Sequence, residues 1–493
     1  MFADIKRLSG HVSIYGVSNI IERSLSFLLI PIHSNYIIPR DYGTVNLIFG
    51  AIAFINILYL YGMDTSFMRF YLLQEPGFTR KQVFNTTFNS IIVTSLLLSA
   101  VFFLESESVA HFFLQNGSLG FMIRWTIGII FFDTLILFPF LILRAEEKPL
   151  RFSVLKTVKV ALTLSLNYIF IVLMNKGIEF ILIANFISSA AVFCLMLPII
   201  FKHYAPEFSV GIYREILKFG LPYIVPYIAV ISMDIIDRYF LDRMISTEAA
   251  GIYSAGYRLA MVMNLYVAAF RFAWHPFFLN LVEREDAKRI LSRVLTYFLF
   301  VGGWIYIGAC FFINDLISIP ISLPFFEGTL LGPDYWEGVK IIPIVMPAYL
   351  AYGVYVNFVV GIYVKKKTIY LLFVTGSAAI INIILNYLLI PEYKMWGAAF
   401  STAVAYIVMA YLLFLVSRRL YPVTYEYGRI FHIVCITGLL YALPAFYAPA
   451  DNMLAKTVVF ILYPAFYLLT GFFNKKEHDK LKQIVNNLRR GTK

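Results

Sequence analysis

Charge is scarce in this chain: Asp, Glu, Lys and Arg make up 14% of its 493 residues, against about 25% in an ordinary soluble domain. So few charges cannot coat a water-soluble fold of this size. Cysteine is scarcer still. Cys194, Cys310 and Cys435 each lie inside an apolar run, with no CxxC spacing and no His at ligand distance. That excludes a disulfide framework and a zinc motif, and no metal or cofactor is expected. A GxxxxGK[ST] segment is missing too, which excludes ATP hydrolysis through a P-loop of the chain's own. Long polar connections are also lacking. The longest outer segment runs only from about Ile319 to Glu337, too short for a separate catalytic domain.

What fills the chain is apolar. Hydrophobic residues make up 60% of it, enough for about fourteen helices at about 20 residues per membrane crossing. Fourteen apolar windows are found, from 11–35 and 44–68, through 217–237 and 252–276, to 430–447 and 454–473. The prediction is an all-α polytopic membrane protein. Its N-terminal apolar stretch continues past Ser34 without a small-residue cleavage motif, which reads as an uncleaved first helix.

The formal charge of +12 is explained by topology before nucleic acid need be considered. With a cytoplasmic N-terminus, 27 of the 41 Lys and Arg residues fall in inner segments and five in outer ones. By the positive-inside rule this places both termini in the cytoplasm and makes nucleic acid an unneeded partner. Nine cations remain within the windows: Arg23, Arg69, Arg124, Lys156, Lys159, Arg258, Arg271, Lys340 and Lys456. Lys156, Lys340 and Lys456 lie near helix ends, where they can snorkel. Arg23, Arg258 and Arg271 lie deeper. A cation at the centre of an isolated helix costs about 2.5–3.5 kcal/mol to insert, so these are expected to face a hydrated interior.

An internal repeat organises the windows. LNYIFIVLMNKGIEFILIANFIS (166–188) echoes LNYLLIPEYKMWGAAFSTAVAYI (385–407), placing Asn167 and Asn386 in corresponding positions. Tyr15-Gly16 and Asp41-Tyr42-Gly43 similarly anticipate Phe219-Gly220 and Gly251-Ile252-Tyr253. An offset of six windows keeps both halves in the same orientation, which predicts two parallel six-helix bundles with pseudo-two-fold symmetry and a path between them. The expected divisions are 1–205 and 206–425 for the two lobes, 426–473 for two additional helices, and 474–493 for a basic cytoplasmic tail, which suits anionic lipid.

Embedded acids are candidates for ion coupling: Glu22, Asp64, Asp133, Asp234 and Asp237. Asp234 and Arg238 stand four residues apart and can pair on one helix face. Glu22 either carries an ion or balances charge. Pro222 with Pro226, and Pro343 with Pro347, free backbone groups and are candidates for hinges or static kinks.

The segments YGMDTSFMRFY (61–71), DRYFLDRMISTEAAGIYSAGYRLA (237–260), FRFAWHPFF (270–278) and INIILNYLLIPEYKMWGAAFSTAVAY (381–406) carry a family resemblance. The chain resembles the Wzx-type polysaccharide transporters, or O-antigen flippases, of the MATE-like (MOP) exporter superfamily, which also contains lipid II flippases of the MurJ type. The resemblance implies translocation of undecaprenyl-diphosphate-linked oligosaccharide from the cytoplasmic to the periplasmic leaflet of the bacterial inner membrane, by alternating access. It implies substrate-binding arginines at Arg23, Arg69, Arg258 and Arg271. Arginine suits the task because its planar fork stays charged and matches phosphate oxygens. Implied partners are the polyprenyl-diphosphate-linked glycan, membrane lipid, and a polymerase or glycosyltransferases of the same pathway. Two alternatives stand beside this reading. One is a MATE-type ion-coupled small-molecule antiporter, disfavoured because the embedded charge is mainly cationic. The other is an integral membrane polymerase or glycosyltransferase, disfavoured by the short outer segments.

Overall fold

A computed structural model describes residues 27–73, 78–282, 284–365, 367–447 and 452–472. Glu22, Arg23 and the 474–493 tail lie outside the described residues. The described chain is nearly all helical. In its first half, α1 (Ile30–Tyr36), α2 (Pro39–Leu60), α3 (Met63–Leu73), α4 (Arg80–Leu104), α5 (Ser106–Leu114), α6 (Gly120–Ala145), α7 (Pro149–Asn167) and α8 (Glu179–His203) follow in order. The second half holds α9 (Val210–Gly220), α10 (Ile224–Met244), α11 (Thr247–Ala260), α12 (Val262–Leu281), α13 (Ala287–Ile317), strands β1 (Pro320–Leu323) and β2 (Phe326–Thr329), α14 (Ile342–Phe358), α15 (Val360–Val364), α16 (Ile369–Leu420), α17 (Tyr427–Tyr447) and α18 (Met453–Leu469).

Local chemistry sets many of these starts. Pro39 and Pro149 open α2 and α7, positions where a missing N–H costs nothing. Thr79 and Gln82 form a capping box before α4, and the Ser209, Ser246 and Asn452 side chains cap α9, α11 and α18.

Nine described helical stretches are long and apolar enough to cross a membrane. One of them, α16, is 52 residues long and breaks at Lys394, whose φ 51° and ψ −126° are not helical. It therefore makes two crossings back to back. With the consecutive pair α11–α12, and α17 and α18, described helices stand at the thirteen windows from 44–68 onward, while α1 covers the end of the first window, whose residues 11–26 lie outside the described residues. The chain is a polytopic helical membrane protein. The face of α4 shows what a lipid-facing surface looks like here: Val93, Leu96, Leu97, Val101 and Leu104 are all exposed.

Two departures from the sequence reading shape the molecule. The second window splits at Tyr61 and Gly62, both at positive φ. A Cβ on Gly62 would run into the Gly220 carbonyl, so the break brings α3 and α9 into backbone contact. The Ile319–Glu337 segment, expected only as a loop, forms the β1–β2 hairpin followed by the start of a 3-10 turn over Pro333–Ile341. These clasp α1: Asn35 donates to the Thr329 carbonyl (2.7 Å), the Gly332 N–H donates to Ser34 Oγ (2.9 Å), and the Tyr335 hydroxyl donates to the Ile37 carbonyl (2.5 Å).

The chain halves also meet at a reciprocal crossing of α2 and α11. A Cβ on Gly43 would strike the Thr247 carbonyl, and one on Gly251 would strike the Pro39 carbonyl. Each glycine thus lies against the residue four places before the other.

Candidate functional site

Among the described residues, a buried polar cluster begins on α10. Asp237 is fully buried. Its Oδ1 accepts the Arg238 backbone N–H (2.8 Å), and its Oδ2 accepts the Tyr253 hydroxyl (2.5 Å). The Arg238 guanidinium lies 3.6 Å from Asp237 Oδ1, and it also donates to the Asp234 main-chain carbonyl. The expected i,i+4 partnership with Asp234 is therefore made to its backbone, while the ion pair runs to Asp237. Asp234 Oδ1 accepts hydroxyl bonds from Tyr406 (2.5 Å) and Tyr257 (3.5 Å).

Tyr253 and Tyr257 reach this cluster because residues four apart share a helix face. The Arg238 guanidinium sits 4.6 Å from the Tyr257 ring centre. Tyr257, Tyr349 and Tyr406 continue the aromatic contacts, with ring centroids 5.8 and 6.1 Å apart. These tyrosines are absent from the sequence-derived site. The spacing in GIYSAGY was the available signal for two of them; Tyr349 and Tyr406 come from distant helices and left none.

The described candidate arginines are distributed, each with its own neighbours. Half-buried Arg258 donates to Asn46 Oδ1 (2.9 Å) and stands 5.3 Å from the Tyr42 ring, both on α2. Exposed Arg271 donates to the Tyr352 hydroxyl on α14 (2.7 Å). Exposed Arg69 lies 4.3 Å from the Phe219 ring at the end of α9. Asp64 borders a cavity of about 40 Å³ shared with Gly62, Thr65, Tyr223 and Tyr227. Pro222 lies in the 3-10 turn joining α9 to α10, and Pro226 in the first turn of α10. Pro343 occupies the first turn of α14, whereas Pro347 is inside it.

His33, unmarked by any sequence pattern, is buried on α1 and hydrogen-bonds Asn167 Oδ1 (2.9 Å). The repeat-related Asn386 is equally buried and donates instead to Asn382 (3.1 Å). The lysines expected to snorkel have found partners. Lys456 pairs with Asp315 (2.8 Å), Lys340 with Glu337 (2.8 Å), and the Lys156 ammonium lies 4.9 Å from the Phe140 ring. In the turn between α6 and α7, burial pushes the Glu146 carboxyl up, but bonds from Lys148 and His203 outweigh it and hold the group below its ordinary range.

An apolar groove of about 400 Å³ runs between α13, α14, the second part of α16 and α17, bordered by Leu295, Pro347, Leu350, Phe414, Tyr425 and Val434. Its shape and lining suit a hydrocarbon chain. Among the described residues no three His, Cys, Asp or Glu side chains gather as a metal-binding set. The described residues offer groups for binding and charge compensation: guanidinium groups, hydroxyls and carboxylates carried on helices from both halves.

A family model described as polysaccharide biosynthesis protein matches residues 10–282. Among curated proteins, the uncharacterized membrane protein MJ1068 of Methanocaldococcus jannaschii is 19% identical over 520 residues, covering 98% of each chain. Among solved structures, the lipid II flippase MurJ in an inward closed conformation superposes with a TM-score of 0.75 at 16% identity, covering 92% of this chain and 98% of that one. The MATE transporter VcmN of Vibrio cholerae gives 0.62 at 14% identity, covering 84% and 96%. An inward-facing multidrug resistance MATE family transporter of the MOP superfamily gives 0.66 at 14% identity, with the same coverage. These likenesses establish the MOP-type fold.

Proposed function

The chain belongs to the polysaccharide biosynthesis protein family, and from that premise we propose that it is a flippase for an undecaprenyl-diphosphate-linked oligosaccharide. The cargo is a polysaccharide or O-antigen repeat unit, carried from the cytoplasmic to the periplasmic leaflet of a bacterial inner membrane by alternating access. Both termini face the cytoplasm in this reading, where the basic segments lie. The lobes 1–205 and 206–425 rock against each other, with Pro222, Pro226, Pro343 and Pro347 as hinges, Pro347 lying inside α14 where it frees a backbone carbonyl. Helices 426–473 border the apolar groove, which receives the lipid tail.

The observation that carries the proposal is a difference in partners among the cations within the helices. Arg238, Lys159 and Lys456 face carboxylates. Arg258 faces an amide and an aromatic ring instead, and Arg271 a hydroxyl. Among the described residues no carboxylate forms an ion pair with either guanidinium, and a diphosphate can supply an anion through bidentate bonds. Arg23 and Arg69 complete the proposed cationic path. Asp64, beside its small cavity, is the proposed coupling carboxylate, with Glu22 and Asp234 as further candidates. Asp237, sealed by its hydrogen bonds, positions Arg238.

Replacing Arg258 or Arg271 by Ala should abolish complementation of a flippase-deficient polysaccharide strain while membrane expression persists, and Lys should restore it only in part. Full activity of both Ala variants would overturn the assignment.

A further inference from the structure

One embedded ion pair belongs to none of the machinery described so far. Lys159 of α7 donates to Asp133 Oδ1 of α6 at 2.5 Å. Both residues are mid-helix: Asp133 within the 26 residues of α6, and Lys159 about 15 Å along α7 from Pro149 at 1.5 Å per residue. Neither is sealed, since the Lys159 side chain is 20% and the Asp133 side chain 37% exposed.

The surroundings indicate what the pair faces. Thr134, next to Asp133, donates to Asn56 of α2. Leu137 and Leu141, one and two turns further on the Asp133 face of α6, pack against the core that holds Met63, Phe67 and Phe70 of α3. Leu155, one turn before Lys159 on α7, packs against a core that is also met by Phe272 of α12, the neighbour of Arg271. The face that carries the pair is therefore turned toward α3 and α12, which carry Arg69 and Arg271. A half-open ion pair at this depth is heavily penalised against lipid, whereas a hydrated path between the chain halves can accommodate it.

We propose that Lys159, held by Asp133, is an anion-binding station on the α6–α7 side of the path, and that it takes a phosphate oxygen of the lipid-linked diphosphate. This rests on the flippase reading above. An ammonium has three donors; one is directed at Asp133, and those remaining can meet the cargo without the carboxylate being abandoned. Asp133 thereby fixes the direction of a flexible side chain that would otherwise have to be ordered when the ligand arrives. Lysine suits a passing contact, because it acts as a point charge without the geometric fork of arginine.

The test is binding of sugar-free polyprenyl diphosphate to the purified full chain in detergent, with inorganic pyrophosphate and phosphatidylglycerol as further probes. Lys159→Met and the double variant Asp133→Asn/Lys159→Met should each bind polyprenyl diphosphate about tenfold more weakly, as expected for loss of one charge-assisted contact. Asp133→Asn alone should keep binding. The double variant leaves no unpaired charge, so it should unfold at the wild-type temperature, which separates a ligand role from a fold role. Wild-type affinity in the double variant, with Arg258→Ala losing binding, would overturn the Lys159 station and leave the flippase reading standing. No binding by the wild-type chain would overturn both. Equal, Lys159-dependent binding of phosphatidylglycerol would assign the site to a membrane phospholipid headgroup and overturn the cargo assignment. Pyrophosphate should compete in both the wild type and Lys159→Met, but with about tenfold lower affinity in the variant.

Discussion

Two embedded ion pairs in this molecule share a chemistry and differ in enclosure. Asp237 and Arg238 on α10 are wrapped by Tyr253 and Tyr257, and the carboxylate has no exposed surface. Asp133 and Lys159 on α6 and α7 are closer to each other, at 2.5 Å, yet both remain partly open. Proximity alone does not decide what an ion pair is for. A sealed pair whose oxygens all have donors is fixed architecture, and breaking it strands a charge in a low-dielectric interior. A pair with an open side keeps capacity for a third group.

The contrast is broken most forcefully at Asp237. Asp237→Ala should cost about 3–5 kcal/mol, the range for removing one partner of a buried pair, and a fall in detergent melting temperature well beyond that of any Asp133 variant measures it. Tyr253→Phe sharpens the same comparison by deleting a single hydroxyl bonded to a charged group, with an expected loss of about 1.5–3 kcal/mol, read in the same melting assay. Asp133→Asn should cost only about 0–1 kcal/mol, because its pair is partly exposed and screened. A larger loss would show that the open pair is structural after all.

The smallest effect is expected at Glu146, outside the crossing helices. Its carboxyl is held below the usual range by Lys148 and His203 against the opposing effect of burial. A lowered folded-state value means that its stabilisation is present above the unfolded value and disappears as pH falls through the folded one. Glu146→Gln should therefore lower the melting temperature slightly at neutral pH, and the difference from wild type should shrink as the solution is acidified below the ordinary glutamate range.

Helix positions were legible in the sequence because they depend on run length and on punctuation by charge, Pro and Gly. The break at Lys394, for example, falls within the PEYK segment between two predicted windows. Partnerships were much less legible. A helix that is apolar on all sides has no periodic stripe to show which face meets which neighbour, so the contacts of Tyr349 and Tyr406 with Asp234 and its neighbours left no trace. His33 was missed for the same reason, while Asn167 was visible as part of a repeat but not as its partner. Lys156, Lys340 and Lys456 were read from depth alone, and depth says nothing about a ring or carboxylate on another helix, as at Lys156 and Lys456, or about the Glu337 that stands three residues before Lys340. The β1–β2 hairpin was hidden because its ladder has only four residue pairs, too few for an alternating pattern to register.

The glycine crossing of α2 and α11 has a mechanical consequence. At Gly43 and Gly251 themselves backbone lies against backbone, while further along the same crossing Arg258 of α11 reaches Asn46 and Tyr42 of α2. Glycine has no rotamers to freeze, so backbones meeting there can part and re-form the contact without re-sorting side chains. Such a junction behaves as a bearing: it fixes how closely the halves approach while offering little resistance to their rolling over one another. Resistance to a rocking motion would then come from directional bonds: Arg258 to Asn46 beside the crossing, and the clasp of α1 by the hairpin and the 3-10 turn.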